Sequence, residues 1–320
     1  MTEHSVSVAI VSFNAKEKLR RCLVCIEAHH EVIVVDNAST DGAAEMIATE
    51  FPHVKLIAND VNRGFGEANN QAMDAATGDL VLLLNSDAYA FPGAIDSLAK
   101  VFEDGGVVAA GGRLLNLDGS LQNSSAGKLT LWVVFCEQVF VERLFPMSRV
   151  LSPYWNSARL GGCILGVGDD APPQETPQVM GACLMLRPVE RFDPRYFLYC
   201  EDTDLCLRLA KHGRILYVPA AKFYHELGSS SGQDRWRAVA RYNRGKELYF
   251  QIHHGRLAGA ACLCLNRLGA ALRLLTWSLV ALFTAGCRGR DLVKRFWHVL
   301  CVSLAGPDDP RNSPEHRIRR

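Results

Sequence analysis

Four runs rich in β-branched and aliphatic residues punctuate the first ninety positions, namely Val6 to Val11, Glu31 to Asp36, Val54 to Asn59 and Leu80 to Asp87. A strand with one wet face alternates apolar and polar residues. The unbroken apolarity of Val32-Ile33-Val34-Val35 and of Leu80 to Leu84 therefore demands cover on both faces of a sheet. Helical patterns near 15 to 29, 40 to 50 and 63 to 76 separate the runs, which predicts βαβ units, a parallel sheet and an α/β fold.

The rest of the chain is less regular. An amphipathic helix is expected at 129 to 145, and a Gly/Pro-rich stretch runs from Gly161 to Pro177, so 112 to 177 reads as a loop-rich region over a cleft. A strand at 178 to 186, a helix from 201 to 212 closed by Gly213 and a strand at 214 to 218 complete a domain taken to span 1 to 255. Residues 256 to 320 form a tail with 11 Lys/Arg against 4 Asp/Glu. The whole chain carries only +1, which argues against a dedicated nucleic-acid binder. Eleven cysteines, an odd number set in apolar runs, read as reduced thiols of a cytoplasmic protein. Cys22, Cys25 and His29 share a helical face, and a core face is preferred there to a zinc site. Met1 to Lys16 lacks the basic and apolar regions of a secretory signal.

Polar residues gather where the strands end: Ser12 and Asn14, Asp36 and Asn37, Asn59 and Asp60, Asn85 and Asp87. Ligands bind at that edge of open α/β sheets. Asp36 could accept hydrogen bonds from a base or a ribose, or cap the next helix. Arg63 and Gly64 open a helix whose N-terminus could hold a diphosphate, or they form only a tight turn. Asn85 and Asp87, two residues apart on a strand end, should project to one side and suit Mg²⁺ or Mn²⁺ bridging phosphates, the alternative being a plain turn. Glu201, Asp202 and Asp204 crowd a helix start more densely than a macrodipole requires, which points to a proton-transfer or ligand task. His225 closes another strand.

Together with Ser12-Phe13-Asn14, these segments include Val34 to Gly42, Asn62 to Gly66 with Asn69-Asn70, Leu84 to Asp87, Met180-Gly181-Ala182, Phe197 to Arg208, and His225 with Gly228-Ser229-Ser230. The ordered set resembles the inverting GT-A-fold glycosyltransferases of family 2, in their rhamnosyltransferase-like branch. The resemblance implies a Rossmann-like, mostly parallel sheet flanked by helices, with a C-terminal helical extension. It implies a nucleotide-sugar donor met by Ser12, Asn14, Asp36, Arg63, Gly64, Asn69, Asn85 and Asp87, and a divalent metal, Mg or Mn, at Asp87 and His225. Asp202 would be the general base, with Gly181, Ala182 and Glu201 toward the acceptor. Asn85 stands first where the family usually has Asp-x-Asp, Ser86 replaces a frequent proline, and Pro194 follows Asp193 where an acidic residue is usual.

The expected reaction is transfer of a sugar, L-rhamnose from dTDP-rhamnose being one case, to a glycan or polyprenyl-linked acceptor in cell-envelope polysaccharide biosynthesis. A UDP- or GDP-sugar transferase is an alternative, as is an inactive fold serving as a partner. The presence of Asp36, Asp87, Asp202 and His225 together argues against the latter. The tail is expected to lie on the inner face of the membrane without crossing it, since Leu274 to Cys287 is charge-free for 14 residues where a span needs about 20. Asn266, Arg273 and Thr284 fall on one narrow stripe, and Arg288, Arg290, Lys294 and Arg295 follow. A helical cap on the core, or a dimer interface, is the alternative.

Overall fold

The computed structural model describes residues 4–146, 148–155, 171–226, 235–284 and 289–302. Its elements run β1 (Val6–Ser12), α1 (Lys16–Val24), β2 (Glu31–Asp36), α2 (Ala43–Glu50), β3 (Lys55–Ala58), α3 (Phe65–Ala75), β4 (Leu80–Asn85), β5 (Ala88–Ala90) and α4 (Ala94–Ala99). Then follow β6 (Val107–Leu115), β7 (Ser125–Ala126), α5 (Leu131–Gln138), α6 (Val141–Leu144), β8 (Gln174–Glu175), β9 (Gln178–Val179) and β10 (Cys183–Leu186). α7 (Glu201–Leu209), β11 (Arg214–His225), α8 (Arg235–Phe283) and α9 (Arg290–Cys301) complete the order. The chain divides into one unit of Met1–Lys128, Trp155–Phe197 and Glu201–Ser230 and another of Leu129–Tyr154, Leu198–Cys200 and Ser231–Arg320. Among the expected features, Gly161 to Asp170, Gly228-Ser229-Ser230, Cys287 and Arg288 lie outside the described residues.

The first unit is the mixed, mostly parallel sheet, in the order β3-β2-β1-β4-β10-β6-β11-β5. β1 to β4 pair in parallel, and β10 runs antiparallel to both β4 and β6. Alternate residues of one strand feed two separate cores, as unbroken apolarity required. Val8, Ile10, Leu82 and Leu84 pack with Leu19, Ile47 and Leu98 of α1, α2 and α4, while Ala9, Ile33, Val81 and Leu83 pack with Ala72, Met73 and Leu205 of α3 and α7.

Two expected elements are broken. The strand foreseen over 178 to 186 splits at Met180-Gly181-Ala182, so that β9 pairs with β7 and only β10 joins the main sheet. β11 is longer than foreseen and passes through Pro219, where its register against β6 shifts between Val218 and Lys222. A bulge tolerates the proline's missing N–H. Gly112 is required opposite that bulge, because a Cβ there would meet the Ala221 carbonyl oxygen and the Phe223 ring at 2.7 Å.

In the second unit the single helix foreseen over 129 to 145 is two, α5 and α6, parted by Phe140 at φ 65°. Thr130 caps α5 by accepting the Val133 N–H. α8 joins two helical segments at Gly255 (φ 85°, ψ 171°), the position taken from sequence as the end of the first domain. Several of its polar residues are buried or half-buried and bonded. The Lys246 ammonium, 0% exposed, donates to Glu137 at 2.8 Å and sits 4.3 Å over the Tyr242 ring. Asn266 donates to Glu247 Oε1 at 2.9 Å and accepts from Gln138 at 3.2 Å. Arg273 donates to the Glu137 and Gln138 carbonyls at 3.0 Å, and Arg267 to those of Val299 at 2.9 Å and Val302 at 2.7 Å. Each guanidinium thus meets the negative end of a helix, α5 or α9, whose last carbonyls lack helical partners. The polar stripe read from the sequence therefore turns inward at Asn266 and Arg273, while Leu257, Leu275, Leu279, Leu282, Phe283 and Trp297 are exposed.

Candidate active site

Parallel pairing brings three strand ends to one edge: Ser12 stands opposite Asp36, and Val11 opposite Asn85. Asp36 is buried, and its Oδ2 accepts the Ser39 N–H at 3.2 Å. Burial pushes its carboxyl above the ordinary range, against the hydrogen bonds from Ser39. Its Oδ1 has no hydrogen-bond partner, and neither has the buried Ser12 Oγ. Buried polar atoms are nearly always satisfied, so two such atoms on neighbouring strand ends suit a polar ligand. Asn14, at φ 49°, ties the two loops beyond them, accepting the Thr40 N–H at 2.8 Å and donating its own N–H to Ser39 Oγ at 2.9 Å.

The third loop hangs on Asn37, which the sequence reading noted only as a neighbour of Asp36. Its amide donates to Asn62 Oδ1 at 3.0 Å and to the Gly64 carbonyl at 3.1 Å, and its oxygen accepts from Arg63 N–H at 3.0 Å and Asn59 at 3.1 Å. Gly64 is required for φ 86° and for space, since a Cβ would lie 2.6 Å from the Phe197 carbonyl oxygen. Arg63 is partly exposed and pairs with Glu67 at 2.9 Å. Asn69 is buried in α3 and donates to the Phe65 carbonyl one turn back at 2.9 Å.

At the end of β4, Asn85 and Asp87 converge on one histidine from β11. His225 Nε2 lies 3.3 Å from the Asn85 amide nitrogen and 3.4 Å from Asp87 Oδ1. Its Nδ1 lies 3.0 Å from Gln122 Oε1, and the Gln122 amide in turn donates to the His225 carbonyl. A glutamine oxygen only accepts, so this network assigns the proton to Nδ1 and leaves the Nε2 lone pair facing Asn85 and Asp87. Nε2 can accept from the Asn85 amide, and a proton or a metal cation at Nε2 would reconcile it with the Asp87 carboxylate 3.4 Å away. The donor set, one imidazole nitrogen and one carboxylate with the other ring nitrogen braced, fits a divalent ion that takes further oxygens from its substrate. Gln122 was missed by sequence reasoning because nothing local marks it. Glu226, the next residue, anchors the strand end to Lys18 at 2.8 Å, Arg21 at 2.9 Å and Tyr89 OH at 2.7 Å, and these partners hold its carboxyl below the usual range, the Lys18 hydrogen bond most of all.

Asp202 opens α7. Its Oδ2 accepts the Gly181 N–H at 3.0 Å and its Oδ1 the Thr203 N–H at 2.8 Å. The Ala182 carbonyl accepts the Asn85 N–H at 3.1 Å. Asp202 is thus linked through Gly181-Ala182 to the strand end that carries Asn85 and Asp87. Burial raises its carboxyl pKa while those backbone N–H groups oppose the rise. Glu201 is buried and pushed to about 8 by burial and by the Asp202 charge, so it is neutral at pH 7. Tyr199 and Cys200, immediately before α7, both hold positive φ, 75° and 66°, a pair of strained residues of the kind found beside functional sites.

A model of glycosyl transferase family 2 matches residues 7–156, which include Ser12, Asp36, Arg63, Asn85 and Asp87. The chain is 29% identical over 271 residues to N-acetylglucosaminyl-diphospho-decaprenol L-rhamnosyltransferase of Mycobacterium tuberculosis, spanning 77% of this chain and 84% of that one. It is 35% identical over 111 residues to undecaprenyl-phosphate 4-deoxy-4-formamido-L-arabinose transferase of Serratia proteamaculans, spanning 31% of this chain and 34% of the relative. Among solved structures, a mannosyltransferase from Pyrobaculum calidifontis in complex with GDP-Man and Mn²⁺ aligns at a TM-score of 0.50 with 17% identity, covering 97% of this chain and 87% of that one, a likeness of fold.

Proposed function

We propose that the chain, which matches glycosyl transferase family 2 over residues 7–156, is a glycosyltransferase that transfers a sugar with inversion from a nucleoside diphosphate to a lipid-linked saccharide. The observation that carries this reading is the short hydrogen-bonded path from Asp202 through Gly181-Ala182 to Asn85, which joins a half-buried carboxylate to the Asp87 and His225 pair. In the reaction, the acceptor hydroxyl oxygen bonds to the anomeric carbon as the bond from that carbon to the diphosphate oxygen breaks. Asp202 takes the hydroxyl proton, and its raised pKa makes it a stronger base than an exposed aspartate. The nucleoside diphosphate leaves with the bonding pair. Asp36 and Ser12 offer their unpartnered oxygens to the nucleoside, and Arg63 with the N-terminus of α3 meets the diphosphate. A divalent ion held by Asp87 and His225, Mg²⁺ or Mn²⁺, would neutralise charge developing on the leaving group. Glu201, neutral at pH 7, is a hydrogen-bond donor toward the acceptor side together with Gly181 and Ala182.

The rhamnosyltransferase relative supports L-rhamnose as the sugar and a polyprenyl-diphosphate-linked N-acetylglucosamine as the acceptor, and the donor we propose is dTDP-rhamnose. Calorimetry with a panel of dTDP-, UDP- and GDP-sugars, with and without Mn²⁺, followed by product analysis, tests it: dTDP-rhamnose should bind at least tenfold tighter than the others. Preference for a UDP- or GDP-sugar replaces the donor assignment without touching the class.

The cytoplasmic face of the cell membrane is the proposed place of work. α8 is long and apolar enough to cross a membrane by length and composition, yet only 28% of its most apolar window is buried. The inward turn of Asn266 and Arg273 leaves an apolar outer surface, and Arg290, Lys294 and Arg295 of α9 supply cations for anionic headgroups. We read this as attachment to the surface rather than a crossing. Release of the full-length protein from membranes by carbonate supports the surface reading, and resistance to carbonate overturns it.

A further inference from the structure

The three acidic and histidine side chains His29, His30 and Asp96 each offer a ligand atom, and all of these atoms lie within 4.8 Å of one another. They belong to no part of the transfer site. His29 and His30 end the connection from α1 to β2, at the start of that strand, whereas Asp36 is at its far end, about 17 to 20 Å away at about 3.3 Å per residue. Asp96 is in the first turn of α4. Glu27, from the same connection, faces His30.

The geometry points to a second, structural cation site, and we infer that Glu27, His29, His30 and Asp96 bind a borderline divalent ion of the Zn²⁺ type. His29 Nε2 lies 3.3 Å from Asp96 Oδ1, and His30 Nε2 lies 3.8 Å from both Asp96 Oδ1 and Glu27 Oε2. Ligands at about 2.0 to 2.1 Å from a tetrahedral zinc are separated from one another by about 3.3 Å, so the His29–Asp96 separation already matches and the two separations from His30 need to close by about half an ångström. The His30 side chain is 3% exposed. Its Nε2 makes no hydrogen bond, and neither does the buried Glu27 Oε2 that faces it. A buried imidazole nitrogen and a buried carboxylate oxygen are each costly to leave unpaired, and at 3.8 Å they do not satisfy each other. An ion between them gives both the partner they lack. Glu27 is already aimed, because its other oxygen accepts the Gly93 N–H at 2.7 Å, the kind of outer hydrogen bond that orients a ligating carboxylate. The two imidazole rings lie 3.9 Å apart, centre to centre, so both turn toward the same corner. Two imidazoles with carboxylates favour zinc and its neighbours in the transition series over magnesium. The thiols that the sequence set beside His29 take no part at Cys22, which is buried with its Sγ on the Asn85 carbonyl at 3.7 Å. A bound ion would pin the α1–β2 connection to the start of α4 and would act on stability rather than on transfer.

The inference does not rest on the proposed reaction, and its test needs no sugar. Full-length protein carrying Asp87→Ala, which disables the other cation pair, is stripped with chelator and titrated with Zn²⁺ alone by calorimetry and thermal melting. One ion per chain should bind, with the melting temperature rising by about 5 °C if the ion is present at about a hundredfold over its dissociation constant. Adding His30→Ala should weaken binding at least tenfold. Asp96→Asn, at a partly exposed position that leaves the core untouched, should do the same and keeps the test valid if the His30 variant fails to fold. Cys25→Ser should change nothing, and Co²⁺ in place of zinc should give tetrahedral visible bands without thiolate charge transfer. Absence of stoichiometric Zn²⁺ binding overturns the site, and so does binding that survives Asp96→Asn or shows thiolate charge transfer. Asp96→Asn in the otherwise unaltered chain should keep its rate of sugar transfer.

Discussion

The α/β unit and the helical unit arrange polarity in opposite senses. In the first, strands such as β4 are apolar through five consecutive buried residues, and charge gathers at the edge where Asp36, Asp87 and Asp202 sit. In the second, Lys246, Glu247 and Asn266 are buried, and leucines and aromatics of α8 and α9 are exposed. The difference teaches that burial alone does not mark a functional residue. Arg273 and Arg267 are satisfied by helix carbonyls and need no ligand, whereas Asp36 Oδ1 and Ser12 Oγ are buried with nothing to satisfy them.

That contrast is sharpened most by Asp202→Asn. It should lower kcat by at least the roughly 10² to 10⁴-fold attributed to general base catalysis, while donor affinity measured by calorimetry changes less than twofold. A variant that keeps most of its kcat removes Asp202 from the role of base. Asp87→Ala and His225→Ala come next and should abolish the response of the rate to added Mn²⁺. Gln122→Leu should have a weaker effect of the same kind, about tenfold to a hundredfold in metal affinity, because it frees the His225 ring without deleting a ligand. Full wild-type activity in EDTA would break this part of the reading.

In the helical unit, Lys246→Met should cost about 2 to 4 kcal/mol in urea unfolding, since it leaves Glu137 without its buried partner. By contrast, Leu275→Glu with Leu279→Glu should leave unfolding within about 0.5 kcal/mol, as expected of exposed positions, yet lose binding to anionic liposomes. If the single and the double variant behaved alike, the inverted polarity of this unit would be wrong.

The last expected effect is a slope with pH. Glu201 has a folded pKa raised from 4.5 to about 8, so between those values the folded chain holds a proton that the unfolded chain releases. Its contribution is fully present below pH 4.5 and is lost as pH rises through about 8, by at most about 1.4 kcal/mol per unit. Glu201→Gln should flatten that fall in melting temperature between pH 5 and 8, and should reduce transfer less than Asp202→Asn does. An unchanged slope would mean that Glu201 is ionised when folded.

The sequence by itself determined the parallel sheet and the edge where polar residues collect, because strand length, double-sided burial and polar termini are all local patterns. It also singled out Asp87 and His225, since each closes a strand. Only the tertiary structure decided what these groups face. Gln122 braces His225 from 103 positions away, and Asn37 holds a loop through Asn62 and Gly64. Periodicity found the polar stripe at Asn266 and Arg273 but could not orient it. A helix records which residues share a face, and whether that face meets water or another helix depends on the partners. Here the partners are the last carbonyls of α5, available only once the chain has brought Glu137 and Gln138 within reach of Arg273. The broken strand at Gly181 follows the same rule, since apolar residues flank it on both sides while Asp202 and Asn85, distant in sequence, take the backbone groups of Gly181 and Ala182.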